Sequence, residues 1–178
     1  MALNATIYKV ELQVSDIDRH YYATHALTLA RHPSETEERL MLRVLAFALN
    51  AHEALTFGKG LSDTDEPDLW RKDLTGTIEQ WIELGQPDEQ RLRQASGRAG
   101  DVRVYGYGRG AAIWWDKQAA ALKRIRNLQV FEVGAATCAA LSEIAARKLE
   151  LQWLVQDGAM QLMSAERTID VELLQRMP

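Results

Sequence analysis

Ten acids crowd into the stretch from residue 53 to residue 89: Glu53, Asp63, Asp65, Glu66, Asp68, Asp73, Glu79, Glu83, Asp88 and Glu89. Only Lys59, Arg71 and Lys72 accompany them. Residues 90–127 reverse the sign, with nine bases (Arg91, Arg93, Arg98, Arg103, Arg109, Lys117, Lys123, Arg124 and Arg126) against Asp101 and Asp116. Carboxylate oxygens are the ligands hard divalent cations take. Guanidinium groups match the geometry of phosphate. The chemistry this juxtaposition suggests is a hard cation held next to a phosphate chain.

The elements that must position these residues can be read in order. Thr6–Val14 alternates apolar and polar side chains and reads as a half-buried strand. Ser15-Asp16-Ile17-Asp18 supplies a turn, and His20–Ala30 returns as its hairpin partner. Pro33 breaks the pattern. Ser34, with Glu37 three residues on, then has the form of a capping box, and a helix is expected over about 34–53. Short strands follow at 55–61 and 68–70, separated by an acidic turn at 62–67. Asp73-Leu74-Thr75-Gly76 reads as a hairpin loop.

Residues 77–84 form the next expected strand. Period-two alternation puts Glu79, Trp81 and Glu83 on one face of it, an odd set for plain core. Gly85 ends this strand and Pro87-Asp88-Glu89 opens a helix reaching Ala95 or Ser96. A break at 97–100, a strand at 102–107, a helix at 111–126, a strand at 128–133 and a helix at 136–148 come after. Asp157-Gly158 is a strong turn signal joining strands 149–156 and 159–163, and 169–174 adds a last strand. The fold class is α+β, a single domain with a mixed sheet, flanking helices, an N-terminal hairpin and C-terminal strands.

Bulk properties narrow the function classes. A formal charge of −4, with 47% hydrophobic and 26% charged residues, excludes a disordered chain and a surface that is basic throughout. A local basic groove stays open. No apolar run approaches the ~18 residues of a membrane span, and Met1–Thr6 lacks the pattern of a secretory leader, so a soluble, cytoplasmic protein is expected. The lone Cys138 sits in an apolar helical run and reads as buried. His20, His25, His32 and His52 have no metal-ligand spacing. Gly106, Gly108 and Gly110 read as a flexible connection. Trp114 and Trp115, adjacent on a helix, are not both expected to point inward; one is a candidate for stacking on a base.

The order helix, three strands, helix, strand over 34–107 resembles the core of the restriction-endonuclease-like superfamily, whose signature is PD-(D/E)XK. Pro67-Asp68 and Glu83, fifteen residues apart, fit its spacing. A closer match lies in Arg31-His32-Pro33-Ser34-Glu35 with Glu38-Arg39, Asp65-Glu66-Pro67, Trp81-Ile82-Glu83-Leu84-Gly85, Pro87-Asp88-Glu89, and Arg109 with Trp114-Trp115. These look like the bacterial YaeQ family, and the resemblance runs from the first strand to the Asp157-Gly158 hairpin.

The resemblance implies a variation on the nuclease fold that takes Mg²⁺ or Mn²⁺ and acts on a phosphodiester of DNA or RNA. Asp68 and Glu83 would be metal ligands, Glu38 or Glu35 would add a third, and Asp65, Glu66 and Glu79 are reserves. The superfamily's lysine should stand two residues after Glu83, where this chain has Gly85. Arg91 or Arg93 on the following helix would then supply the cation. An acidic turn can also be merely solvated, and Glu35 and Glu38 can simply serve a helix N-terminus. The alternative to a nuclease is a nucleic-acid- or protein-binding regulator on the same scaffold. The oligomeric state stays open.

Overall fold

A computed structural model describes residues 4–59 and 65–177. Asp63, the end of the strand expected at 55–61 and the first part of the turn at 62–67 lie outside the described residues. The chain divides into two compact units. The first takes the chain up to Ala51 and again Ala136–Glu172; the second takes His52–Ala135 and the residues from Leu173 onward. Each is built on one mixed sheet, and the described residues hold four helices. None of these helices is long and apolar enough to cross a membrane.

In the first unit β1 (Thr6–Asp16) and β2 (Tyr21–Arg31) form the expected antiparallel hairpin. Tyr8, Val10, Leu12 and Val14 are buried while Lys9, Glu11 and Gln13 are exposed, the alternation a one-sided sheet requires. The C-terminal segment completes the sheet. β8 (Lys148–Gln156) lies parallel to β1, then β9 (Ala159–Met163) and β10 (Thr168–Asp170) follow antiparallel, giving the order β10-β9-β8-β1-β2. The β8–β9 turn has Asp157 at φ 52° and Gly158 at φ 79°, the doubly left-handed backbone of a tight hairpin turn. Asp18 fastens it by accepting from both backbone N–H groups, at 2.8 and 2.9 Å.

α1 (Glu37–Leu49) begins later than the capping-box pattern predicts. Its N-cap is Thr36, whose hydroxyl accepts from the Arg39 N–H at 3.1 Å. Ser34 is not the cap: it bonds the His32 ring within a turn closed by Glu35 N–H to the His32 carbonyl. Residues 40–48 are all buried, Arg43 included. α4 (Ala135–Ile144) completes the helices, shorter than the expected 136–148, and buries Cys138.

In the second unit β3 (Leu55–Phe57), β4 (Leu69–Lys72) and β5 (Ile78–Leu84) form an antiparallel meander. α2 (Glu89–Arg98) crosses over to β6 (Ala99–Gly106), parallel to β5, and α3 (Ala111–Leu122) crosses to β7 (Leu128–Val133), parallel to β6. The expected break at 97–100 is not there: α2 runs through Gly97 and the next residue but one starts β6. The last expected strand, 169–174, is two. β10 belongs to the first sheet, whereas β11 (Leu173–Met177) pairs with β7 at the edge of the second. Between them Val171 N–H still bonds the Met160 carbonyl of β9, whereas Glu172 N–H turns to the Thr137 hydroxyl.

The core of this unit joins Trp81, Val102, Val104, Leu128 and Val130 from the sheet to Leu92, Ala95, Trp114, Trp115 and Leu122 from the helices. Both tryptophans are therefore buried, against the expectation that one would be free to stack on a base. Adjacent positions on a helix diverge by only about 100°, and an indole is long enough to reach inward from either. Trp114 Nε1 donates to the Pro87 carbonyl at 2.9 Å, while Lys123 Nζ covers the Trp115 ring at 6.0 Å.

Candidate functional site

The β4–β5 hairpin places the two central carboxylates. Its turn is tied by Asp73, whose Oδ1 accepts from Thr75 N–H, Thr75 Oγ1 and Thr77 N–H. The ladder runs to the pair Leu69↔Ile82; one residue further lie Asp68 and Glu83. Asp68 is bound on both sides through its backbone, its N–H to the Ile82 carbonyl and its carbonyl to Gly58 N–H. Its Oδ2 accepts from Leu84 N–H at 2.8 Å. Gly58 is required there, since a Cβ would sit 2.0 Å from the Pro67 carbonyl oxygen. The glycine lets β3 close on the Pro67-Asp68 segment, a role the sequence reading missed because an isolated Gly between turn residues has no distinctive signal.

Asp68 and Glu83 are 4% and 5% exposed. Burial, and next the charge of Asp68, push the Glu83 carboxyl above its ordinary pKa. The Trp81 indole and the Arg91 guanidinium oppose that shift. Both donors meet the same oxygen: Trp81 Nε1 reaches Glu83 Oε1 at 2.8 Å and Arg91 Nε reaches it at 2.7 Å. The unusual face of Glu79, Trp81 and Glu83 thus has a physical account at its inner end, with the indole as a hydrogen-bond donor to the carboxylate two residues on.

α2 supplies the cations. Asp88 caps it by accepting from Arg91 N–H at 2.8 Å, and Gly85, at φ 97°, turns the chain out of β5 toward that cap. A lysine at Gly85 would be strained by that backbone, so the position two residues after Glu83 is closed to one. Arg91 stands two turns before Arg98 on one face of α2. Arg91 Nη2 donates to the Glu66 carbonyl, Arg98 Nη1 to the Asp65 carbonyl, and Arg98 lies 4.9 Å from the Trp81 ring centroid. The two arginines hold the acidic turn by its backbone.

Of the residues singled out from sequence, the structure gathers Asp68, Glu83 and Arg91. Arg93 is exposed and pairs with Glu89 at 2.7 Å. Glu79 pairs with Arg71 at 3.0 Å, and Glu66 Oε2 accepts from Lys59 N–H. Glu35 belongs to the first unit, where both its oxygens are taken. Arg39 Nη1 and Arg43 Nε meet Oε2 at 2.7 and 3.1 Å, and Arg43 Nη2 meets Oε1 at 2.6 Å. Glu38, half-buried on α1, is close enough to Cys138 that its charge joins burial in pushing that thiol up to about 11. Among the described residues no three His, Cys, Asp or Glu side chains already converge as a metal cage. A cleft of about 910 Å³ opens in the first unit between Lys9, Glu11, Thr24, Thr28 and Lys148 on the sheet and the segments 143–146 and 164–166.

Comparison with known proteins places the chain. Residues 1–173 match the family described as YaeQ protein. The chain belongs to the YaeQ family. It is 47% identical to the YaeQ protein of Salmonella typhi over 97% of this chain and 96% of that one. It is 43% identical to the YaeQ protein of Escherichia coli (strain K12) over the same shares. Among solved structures, the YaeQ protein of Xanthomonas axonopodis pv. citri superposes with a TM-score of 0.93 at 49% identity, covering 97% of this chain and 98% of that one. That of Pseudomonas syringae gives 0.94 at 36% identity, covering 98% and 97%. The fold is thus shared with these two solved YaeQ structures, and the Asp68–Glu83 geometry is what this member offers toward a function.

Proposed function

We propose that this YaeQ protein is a divalent-cation-dependent phosphodiesterase of nucleic acid, built on a restriction-endonuclease-like core. The meander β3–β4–β5 followed by α2 and a parallel β6, preceded in sequence by α1, supports that core. The observation that carries the reading is the buried pair Asp68 and Glu83 at the end of one hairpin. A buried carboxylate whose ionisation a second buried carboxylate makes costlier is a poor structural choice, and the pair is a good fit to Mg²⁺, which takes one or two carboxylates and completes its shell with water and phosphate. A bound Mg²⁺ or Mn²⁺ would supply an electrophile for the phosphoryl oxygen and a more acidic water. Arg91 replaces the lysine that Gly85 excludes; always charged, it clamps phosphate and does not accept a proton. The exposed bases Arg93, Arg109, Lys117, Lys123 and Arg124 give the nucleic-acid backbone further partners.

Calorimetric titration with Mn²⁺ and Mg²⁺, beside hydrolysis of DNA and RNA substrates, tests this. The expected result is cation binding that D68N and E83Q each weaken at least about tenfold, with hydrolysis lost in both. No cation binding at millimolar concentration sinks the proposal. One feature favours a second reading, a non-catalytic nucleic-acid-binding protein: Arg91 is already committed to Glu83. That reading requires affinity that survives chelator and E83Q and falls with salt.

A further inference from the structure

Three of the four sheet edges carry the protections that keep edges from pairing with another chain. β3 and β10 have three residues each, and β11 has five with a register shift between Gln175 and Met177. The fourth edge does not. β2 is eleven residues long, is regular along its whole pairing with β1, and among the described residues has no strand on its other side. From Tyr21 to Ala30 it contains no Lys, Arg, Asp, Glu, Pro or Gly. Its outer-face residues Tyr22, Thr24, Ala26, Thr28 and Ala30 are all exposed, Tyr22 by 61%. At its far end Arg43 Nη2 donates to the Ala30 carbonyl.

The strand is also self-complementary. Laid antiparallel on a second copy about a two-fold axis through Ala26, it sets Thr24 opposite Thr28 twice and Tyr22 opposite Ala30 twice. On the other face His25 meets Leu27, Ala23 meets Leu29, and Tyr21 meets Arg31. Thr–Thr pairs are favourable cross-strand neighbours, and no like charges face each other. A cyclic two-fold contact needs a patch that complements itself in this way.

We infer that β2 is a dimerisation edge, along which two copies of this chain pair antiparallel about Ala26 and join their first sheets into one continuous ten-stranded sheet. The alternate N–H and C=O groups that β2 turns away from β1 form the seam, and Tyr22 and Tyr21 cover its ends.

Sedimentation velocity of the full-length protein across the micromolar range should give a dimer, with the β2 amides protected from hydrogen exchange. The register makes a charge test possible. T24K/T28K sets lysine against lysine at both symmetric positions and should weaken the dimer at least about tenfold. T24K/T28E sets lysine against glutamate at both and should recover the wild-type mass. Both variants alter only exposed residues, and thermal melts confirm that each is folded. A monomeric wild type at every concentration overturns the inference, as does a dimer that both variants leave intact or weaken equally.

Discussion

Two buried glutamates in this protein are both held by arginine, and they differ in what balances them. Glu35 is 3% exposed and meets three guanidinium nitrogens from Arg39 and Arg43, so its charge is more than neutralised. Glu83 is 5% exposed and accepts from the Arg91 guanidinium and the Trp81 indole, but the charge of Asp68 beside it opposes its ionisation. A buried ion pair with satisfied geometry costs little once formed and is strongly destabilising to break. A buried carboxylate whose ionisation a neighbouring acid opposes gains from an added cation. Charge balance, more than burial, separates a structural carboxylate from a candidate site.

The largest effect expected from this contrast is at Glu35. E35A takes from Arg43, 4% exposed, the carboxylate that two of its nitrogens meet, and breaking a buried ion pair costs about 3–5 kcal/mol. Urea denaturation should show that loss while Mn²⁺ affinity of the folded protein stays at the wild-type value. A fall in cation affinity beyond the folded fraction would instead put Glu35 in the metal shell and erase the distinction. Its sequence context could not decide this, because an acid next to a helix start is favourable for the dipole whether or not it has another role.

At Glu83 a smaller, pH-dependent effect is expected. Its folded pKa lies above the ordinary value of 4.5, so the folded state holds the proton more tightly than the unfolded one. The stability this provides is fully present below pH 4.5 and is lost as the pH rises through the raised folded value. E83Q keeps a hydrogen-bond acceptor for Trp81 and Arg91 and has no proton to lose. The stability of E83Q relative to wild type, followed by melting temperature in chelator, should therefore shift in the variant's favour as the pH rises across that window. A difference that is flat with pH would mean Asp68 and burial do not burden Glu83, and the case for a cation-seeking pair would go with it.

How much of this was legible in the sequence depended on whether the deciding interaction was local. The β8–β9 hairpin could be read nearly to the residue because Asp157-Gly158 encodes its own backbone. β7 and the element order from α1 to β6 followed from periodicity together with local signals, the turn residues around 55–76 and the Pro87-Asp88-Glu89 helix start. The C-terminal segment reads as one strand because its division falls at Glu172, whose N–H bonds the Thr137 hydroxyl more than thirty residues away in sequence. In the site, the resemblance to the PD-(D/E)XK signature, not a local pattern, is what singles out Asp68 and Glu83 and draws attention to Gly85. The choice of Arg91 over Arg93 did not, because it rests on which face of α2 lies over β5, and the sequence offers arginine on both.

The start of α1 shows the same limit in one turn of chain and gives the smallest expected effect. Ser34 with Glu37 has the capping pattern, whereas Thr36 is followed three residues later by Arg39, which has no such signature. The cap nevertheless falls on Thr36, because the turn from His32 to Glu35 delays the helix. That delay leaves Glu35 ahead of the first helical residue, where it meets Arg39 and Arg43. A tertiary ion pair thus overrides a local propensity that is worth less. T36A should cost about 1 kcal/mol, the usual value of an N-cap hydroxyl, and S34A, at an exposed turn position, within about 0.5 kcal/mol of nothing. Denaturation of the two variants side by side decides it: equal losses, or a larger one for S34A, would restore the capping box and require Glu35 to hold its arginines from within the helix.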